Sequence, residues 1–250
     1  MKAMIFAAGL GTRLKPLTDD RPKALAEISG KTLLQRCIEN LKRQGISDVV
    51  INVHHFSTQI ISFLKEHNNF GLHVQISDES SELLETGGGL LKARPLLMGD
   101  QPILIINVDV LTDLDFQKLE GFHQHEKALA TLVVRRRKTS RYLMFDTNRQ
   151  LTGWKNLKSG TTKVCRMNDF ENSNEYAFSG IQLIQPELLD LITETGRFSI
   201  INLYLRLAEK HSIKAFVDEQ SNWMDLGKYE QLEEAKQLIQ KQEEKKKPLL

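Results

Sequence analysis

The first half of the chain alternates short apolar runs with stretches of helical periodicity. Residues 3–6, 48–53, 72–76, 103–106 and 128–134 are each rich in Ile, Val, Leu or Ala and bounded by polar or turn-forming residues, the pattern of strands buried on both faces. Helices fill the gaps between them. Over about 33–44, Leu34, Cys37, Ile38 and Leu41 fall on one helical face, Thr32 and Gln35 fit a capping box, and Gly45 supplies the stop. Strand and helix in this rhythm predict βαβ units, and so an α/β, Rossmann-like three-layer sandwich around a mostly parallel central sheet.

Beyond Arg135 the rhythm changes. Segments 142–146 and 151–154 flank Thr147-Asn148-Arg149-Gln150 and predict a small β-hairpin insertion, a shape that commonly builds a lid. Residues 176–184 return to strand character, helices follow from Pro186 and Ile200, and 213–217 predicts a further strand. A closing helix from about Lys228 turns Leu232, Ala235 and Leu238 toward the body and runs into Glu243-Glu244-Lys245-Lys246-Lys247. The expectation is a single domain over 1–240 with a charged end over 241–250.

Composition removes several classes of function. The 250 residues, 40% of them hydrophobic, can bury a full core, but 34 Lys and Arg against 32 Asp and Glu leave a formal charge of only +2, no footprint for nucleic acid. The apolar stretch at 3–10 is too short for a signal peptide and is soon followed by Arg13 and Lys15, and no stretch is long enough for a bilayer, so no membrane role is expected. The two cysteines, Cys37 and Cys165, show no ligand spacing. A reducing, cytoplasmic location is the expectation.

The candidate chemistry begins directly after the first strand, in Ala7-Ala8-Gly9-Leu10-Gly11-Thr12-Arg13-Leu14-Lys15-Pro16, with Arg21-Pro22-Lys23 beyond. Glycines let backbone N–H groups approach phosphate oxygens closely. A dinucleotide fingerprint would need glycine at Leu14 and an immediate helix, whereas Pro16 and Pro22 keep the chain irregular; Gly30-Lys31-Thr32 imitates a P-loop end but has Leu25 where its first glycine belongs. What remains is a nest at the carboxyl end of a strand, bracketed by the cations Arg13 and Lys23, a site suited to a triphosphate. Asp109 ends the apolar run of 103–108 and so stands at the same edge of the sheet; alone, an acid there serves a metal or a helix cap equally well.

Residues 7–18 together with Pro22-Lys23-Ala24-Leu25 resemble the signature of the sugar-phosphate nucleotidyltransferases, and the likeness covers most of the chain. The resemblance implies an enzyme that joins a sugar 1-phosphate to a nucleoside triphosphate, releasing pyrophosphate. By that likeness Ala7, Ala8, Gly9, Gly11 and Thr12 hold the nucleotide, while Arg13 and Lys23 are the catalytic cations on its phosphates. Trp223-Met224-Asp225-Leu226-Gly227 is similar to the family's second metal-ligand motif, so Asp225 would join Asp109 in holding one Mg²⁺; Val108 stands where many members have Gly before that first aspartate. Glu85-Thr86-Gly87-Gly88-Gly89, three glycines at a helix entrance, leaves room for a flat base and ribose. It looks most like the N-acetylmuramate 1-phosphate uridylyltransferases, which implies base contacts from Glu85, Thr86 and Gly87 and UTP with an amino-sugar 1-phosphate as substrates. Mannose-1-phosphate guanylyltransferases are the alternative.

On the sugar side, Phe178-Ser179-Gly180 is similar to a family strand whose glycine, here Gly180, lies against the sugar. Where many relatives carry Glu-Lys-Pro this chain has Gly153-Trp154-Lys155-Asn156, which leaves Asn156 or Lys155 for the polar contacts. A non-catalytic nucleotide-sugar sensor is the reading from another class, and retention of Arg13, Lys23 and both acids weighs against it. Homo-oligomers are common on such scaffolds, but no apolar stripe specifies one. His54-His55 and the pair His123 and His125 lack ligand spacing and fit structural or solvent-facing roles. The run Arg135-Arg136-Arg137-Lys138 fits a solvated strand edge, or a flank of the sugar-phosphate entrance.

Overall fold

The computed structural model describes residues 1–246. In chain order, β1 (Lys2–Phe6) is followed by a two-rung hairpin of β2 (Glu27–Ile28) and β3 (Lys31–Thr32), then α1 (Leu33–Arg43), β4 (Asp48–Val53), α2 (Ser57–Glu66), β5 (His73–Asp78), α3 (Glu85–Leu97) and β6 (Ile103–Asn107). A short β7 (Val110–Thr112) leads into α4 (Phe116–His125) and β8 (Ala130–Arg135). The inserted region holds β9 (Arg141–Phe145), β10 (Leu151–Asn156), β11 (Thr161–Val164) and α5 (Met167–Phe170). It returns through the long β12 (Asn174–Ile184) to α6 (Ile200–Ala208), β13 (Ile213–Val217), β14 (Trp223–Asp225) and α7 (Tyr229–Lys246).

Local chemistry accounts for the element ends. The Thr32 hydroxyl accepts from Gln35 N–H at 3.0 Å to start α1, but the Gln35 amide turns to Glu39 at 2.9 Å, so only half of the expected capping box forms. Ser199 and Asp115 cap α6 and α4 through their side-chain oxygens. Segment 186–191, expected as a helix, closes as 3-10 turns behind Pro186.

The central sheet runs β5-β4-β1-β6-β12, with β8 against β12 and β13 against β8. Pairs β1–β4, β1–β6, β4–β5 and β8–β13 are parallel; β12 is antiparallel to both β6 and β8. Alternation along β1 sets the layers. Ala3 and Ile5 face a core built with α1, α2, α4 and α7, while Met4 faces a second core with α3 and α6. Every one of these positions is fully buried.

The insertion exceeds the expected hairpin: β9, β10 and β11 form an antiparallel wing, and residues 174–176 of β12 pair with β9 while 181–184 pair with β6. One strand thus belongs to both wing and central sheet. Leu232 and Ala235 of α7 are buried as expected; Leu238 and, of the charged end, residues 247–250 lie outside the described residues. Among the described residues no helix is long and apolar enough to cross a membrane.

Candidate active site

The carboxyl ends of the central parallel strands make the floor of the site. Phe6, the last residue of β1, pairs with Asn52 on one side and Asn107 on the other. Asn52 is buried and works in both directions: Oδ1 accepts from Ala7 N–H at 2.7 Å, fixing the start of the glycine loop, and Nδ2 donates to Glu79 Oε1 at 2.7 Å. Glu79 follows β5 and is fully buried; burial pushes its carboxyl above the usual range, against the Asn52 hydrogen bond, and its Oε2 has no partner among the described residues.

A cleft of about 350 Å³ opens over this floor. Ala7, Ala8 and Gly9 of the glycine loop line it together with Glu85, Thr86, Lys23 and Asp109. A Cβ built on Gly9 would meet nothing within 4 Å, so the backbone there is open to a ligand. Gly11 serves the turn: its φ is +66° and a Cβ would come within 3.0 Å of both Lys23 and Thr18. Thr12 and Arg13 belong to the short 3-10 turn that follows, exposed beside the cleft.

The acids are brought together by a two-stranded ribbon. Val108 N–H donates to Phe6 O at 3.1 Å, which places Asp109 at the edge of the sheet. Strand β14 then pairs antiparallel with β7, Asp225 opposite Val110, and Leu226 N–H donates to Asp109 O at 2.8 Å. Lys23 Nζ forms an ion pair with Asp109 Oδ2, both side chains largely shielded. Gly227 marks the convergence point: a Cβ there would lie 2.8 Å from Asp225 Oδ1, 3.1 Å from Arg13 Nη2 and 3.4 Å from Lys23 Nζ. A side chain there would have to displace those three charged ends.

Other expected residues are placed differently. Gly87 is not among the residues that line the cleft: a Cβ on it would strike the Phe198 ring at 2.3 Å, and its N–H donates to Phe198 O at 2.9 Å. Gly88 and Gly89 are likewise filled from within, by Gly196 O and Glu79 Oε1. The Cβ direction of each glycine of the triplet is thus taken up by packing of α3 against the segment before α6 and against Glu79. The Thr86 hydroxyl accepts from Ile200 N–H at 3.0 Å, and exposed Glu85, at φ +59°, pairs with Arg197 at 3.0 Å.

Gly180, at φ +74°, lies under the ribbon, where a Cβ would come within 2.8 Å of Asn107 Nδ2 and 2.9 Å of Val110 Cγ2. Asn156 ends β10 in the wing, outside the cleft lining, and its Oδ1 accepts from Lys158 N–H at 3.1 Å; Lys155 pairs with Glu175 at 3.0 Å. His123 is fully buried, bonded to Thr131 Oγ1 at 2.8 Å and Gln185 Nε2 at 3.0 Å, and His54 Nδ1 bonds Glu79 O at 2.7 Å. Burial pushes the Cys37 thiol up to about 12.

Asn52, Glu79 and Asn107 carry the floor of the site, and sequence reasoning passed over them. Their signal is a polar residue at or just past the carboxyl end of a strand otherwise made of Val, Ile and Leu, where burial leaves a polar group no role but hydrogen bonding.

A parallel sheet whose carboxyl edge carries an open glycine loop, two cations and two acids defines a class of α/β proteins that bind phosphate-rich ligands. The chain belongs to the nucleotidyl transferase family, which it matches over residues 2–242. It is 33% identical to the N-acetylmuramate alpha-1-phosphate uridylyltransferase of Neisseria meningitidis serogroup B over 95% of this chain and 98% of that one. With the mannose-1-phosphate guanyltransferase of Yarrowia lipolytica it shares 32% identity over 91% of this chain but 61% of that one. Among solved structures, a UDP-glucose pyrophosphorylase complexed with UDP-glucose superposes with a TM-score of 0.77 at 17% identity, covering 97% of this chain and 99% of that one. HddC from Yersinia pseudotuberculosis complexed with GMP-PN gives 0.74 at 22%, covering 95% and 99%. These two show the same fold. The activity of the chain is that of a sugar 1-phosphate nucleotidyltransferase.

Proposed function

We propose that this enzyme joins UTP to an amino-sugar 1-phosphate of the N-acetylmuramate 1-phosphate kind, with Mg²⁺ held by Asp109 and Asp225. The convergence of Arg13, Lys23 and Asp225 on Gly227, with Asp109 paired to Lys23, is the observation that carries the reading.

In the reaction an oxygen of the sugar phosphate attacks the α-phosphorus of the nucleotide. The bond from that phosphorus to the bridging oxygen of the β-phosphate breaks, and pyrophosphate leaves with the electron pair. The nucleophile is already ionised at neutral pH, so no side chain has to remove a proton. The difficulty is bringing two polyanions together, and the chain answers it with position and charge. The open backbone at Gly9 admits the phosphates, while Arg13 and Lys23 offset charge on the leaving pyrophosphate. Two carboxylates form an all-oxygen donor set that suits a hard cation keeping water and phosphate as its other ligands. Among the described residues no group of three or more His, Cys, Asp or Glu offers a fuller cage. Bound Mg²⁺ would neutralise phosphate oxygens and orient both anions.

Uracil is favoured by similarity along nearly the whole length of the uridylyltransferases, against part of the guanylyltransferases. Glu79 lines the cleft and suits either base, because its carboxyl can accept from the ring N–H that uracil and guanine each present. The deciding experiment measures pyrophosphate release with Mg²⁺ across UTP, GTP, CTP, ATP and dTTP against N-acetylmuramate, mannose, glucose and N-acetylglucosamine 1-phosphates. The largest rate is expected for UTP with N-acetylmuramate 1-phosphate. A dominant rate for GTP with mannose 1-phosphate would replace the substrate pair.

A further inference from the structure

Two anions meet in this reaction, yet the cations described so far reach the acids from one part of the chain, the loop and turn after β1. The wing offers little in return. Lys155 is held by Glu175 and sits 5.5 Å from the Phe170 ring, Lys163 donates to Asn202 at 2.8 Å, and Asn156 is spent on its own turn.

The basic run after β8 divides its side chains unequally. Arg136 is exposed and pairs with Glu219 at 3.0 Å. Arg135 donates to Ser221 O at 2.6 Å and stands 3.8 Å from Asp218. Arg137 instead turns inward. Its guanidinium lies 4.7 Å from the centre of the Trp223 ring and donates from Nη2 to Phe178 O at 3.0 Å, while Nε is buried with no partner among the described residues. The seat is itself held: Trp223 Nε1 donates to Ser179 O at 2.9 Å, and Trp223 sits two residues before Asp225 on the same face of β14. Burial pulls the Arg137 guanidinium below the usual arginine range, and the nearby Asp225 carboxylate opposes that. Arginine stays charged in any case, so this is a shielded cation, stacked and aimed by neighbours yet, among the described residues, without a carboxylate hydrogen-bonded to it.

We propose that Arg137, seated on Trp223 and the Phe178 carbonyl, binds the phosphate of the incoming sugar 1-phosphate beside Asp225, in place of a lysine from the wing. The inference rests on the transferase reading above. A planar fork can grip two phosphate oxygens at once, and its attachment to the segment 178–180 ties it to Gly180 beneath the acid ribbon.

The test compares wild type with Arg137→Gln and Arg137→Lys, using whichever of the four sugar 1-phosphates the wild type turns over fastest. In Arg137→Gln the KM for the sugar 1-phosphate should rise about ten- to a hundredfold, the loss of one charge-assisted contact, while the KM for the nucleotide stays within about twofold. Arg137→Lys should fall between, since it keeps charge and loses the fork. An unchanged melting temperature removes general unfolding as the cause. A variant that lowers kcat with the sugar KM unchanged, or raises both KM values together, overturns the inference and makes Arg137 a brace for Trp223 and Asp225. A wild type that releases no pyrophosphate with any pair overturns the transferase reading itself.

Discussion

Gly227 stands where three charged side chains of the candidate site converge. A methyl group there would press on Asp225 Oδ1, Arg13 Nη2 and Lys23 Nζ, all ends of side chains that can move. Gly227→Ala is therefore expected to change stability by less than about 1 kcal/mol while lowering turnover at least about tenfold, read from a melt and a pyrophosphate assay. Asp109→Asn should keep the fold and cut kcat by about a thousandfold, because it removes a carboxylate that would hold the metal. Wild-type rates from that variant would remove Asp109 from the chemistry. Glu79→Gln should raise the KM for the nucleotide about tenfold and leave the sugar 1-phosphate KM alone, the reverse of the split expected at Arg137. At this scale the sequence showed its charged ends but not its floor. Arg13, Lys23 and Asp109 announce themselves beside glycines or at the end of an apolar run, whereas Asn52 and Glu79 have meaning only once neighbouring strands bring them to either side of a shared hydrogen bond.

Among elements, the strand pattern translated closely where the apolar run is long: 48–53 in the first half and 213–217 in the second begin and end where the pattern placed them. The short ribbon strands β7 and β14 did not show, since three residues are too few for periodicity to register and their pairing joins distant parts of the chain. The wing was seen as one hairpin because exposed β11 carries no apolar alternation. Packing of α4 and α3 supplies two tests. His123 on α4 is held neutral by burial, at about 4 rather than 6.5, so protons bind the unfolded chain first as pH falls between those values. Its stabilising contribution is full above about 6.5 and is lost as pH falls toward 4. His123→Gln should thus flatten the drop in melting temperature across that window; an unchanged slope would contradict it. Gly87→Ala in α3 drives a methyl into the Phe198 ring and backbone, and should cost about 2 kcal/mol or more in a denaturant melt.

For the whole molecule, chelation with EDTA should stop pyrophosphate release while leaving the melting curve nearly unchanged, because the sheet and its two apolar layers carry stability independently of the acid pair. A large loss of stability would mean that the cation is part of the scaffold. The acid pair itself imposes an order on the molecule's birth. Asp109 and Asp225 stand at opposite ends of a long stretch of chain and are joined only when β14 lays itself along β7. The strands of the parallel sheet beside the glycine loop, β5, β4, β1 and β6, all precede Asp109, whereas the second acid waits for β14. With Mg²⁺ held as proposed, a chain cut short before β14 would lack Asp225 and so half of the donor set, and pyrophosphate release is expected only from chains that extend past residue 225.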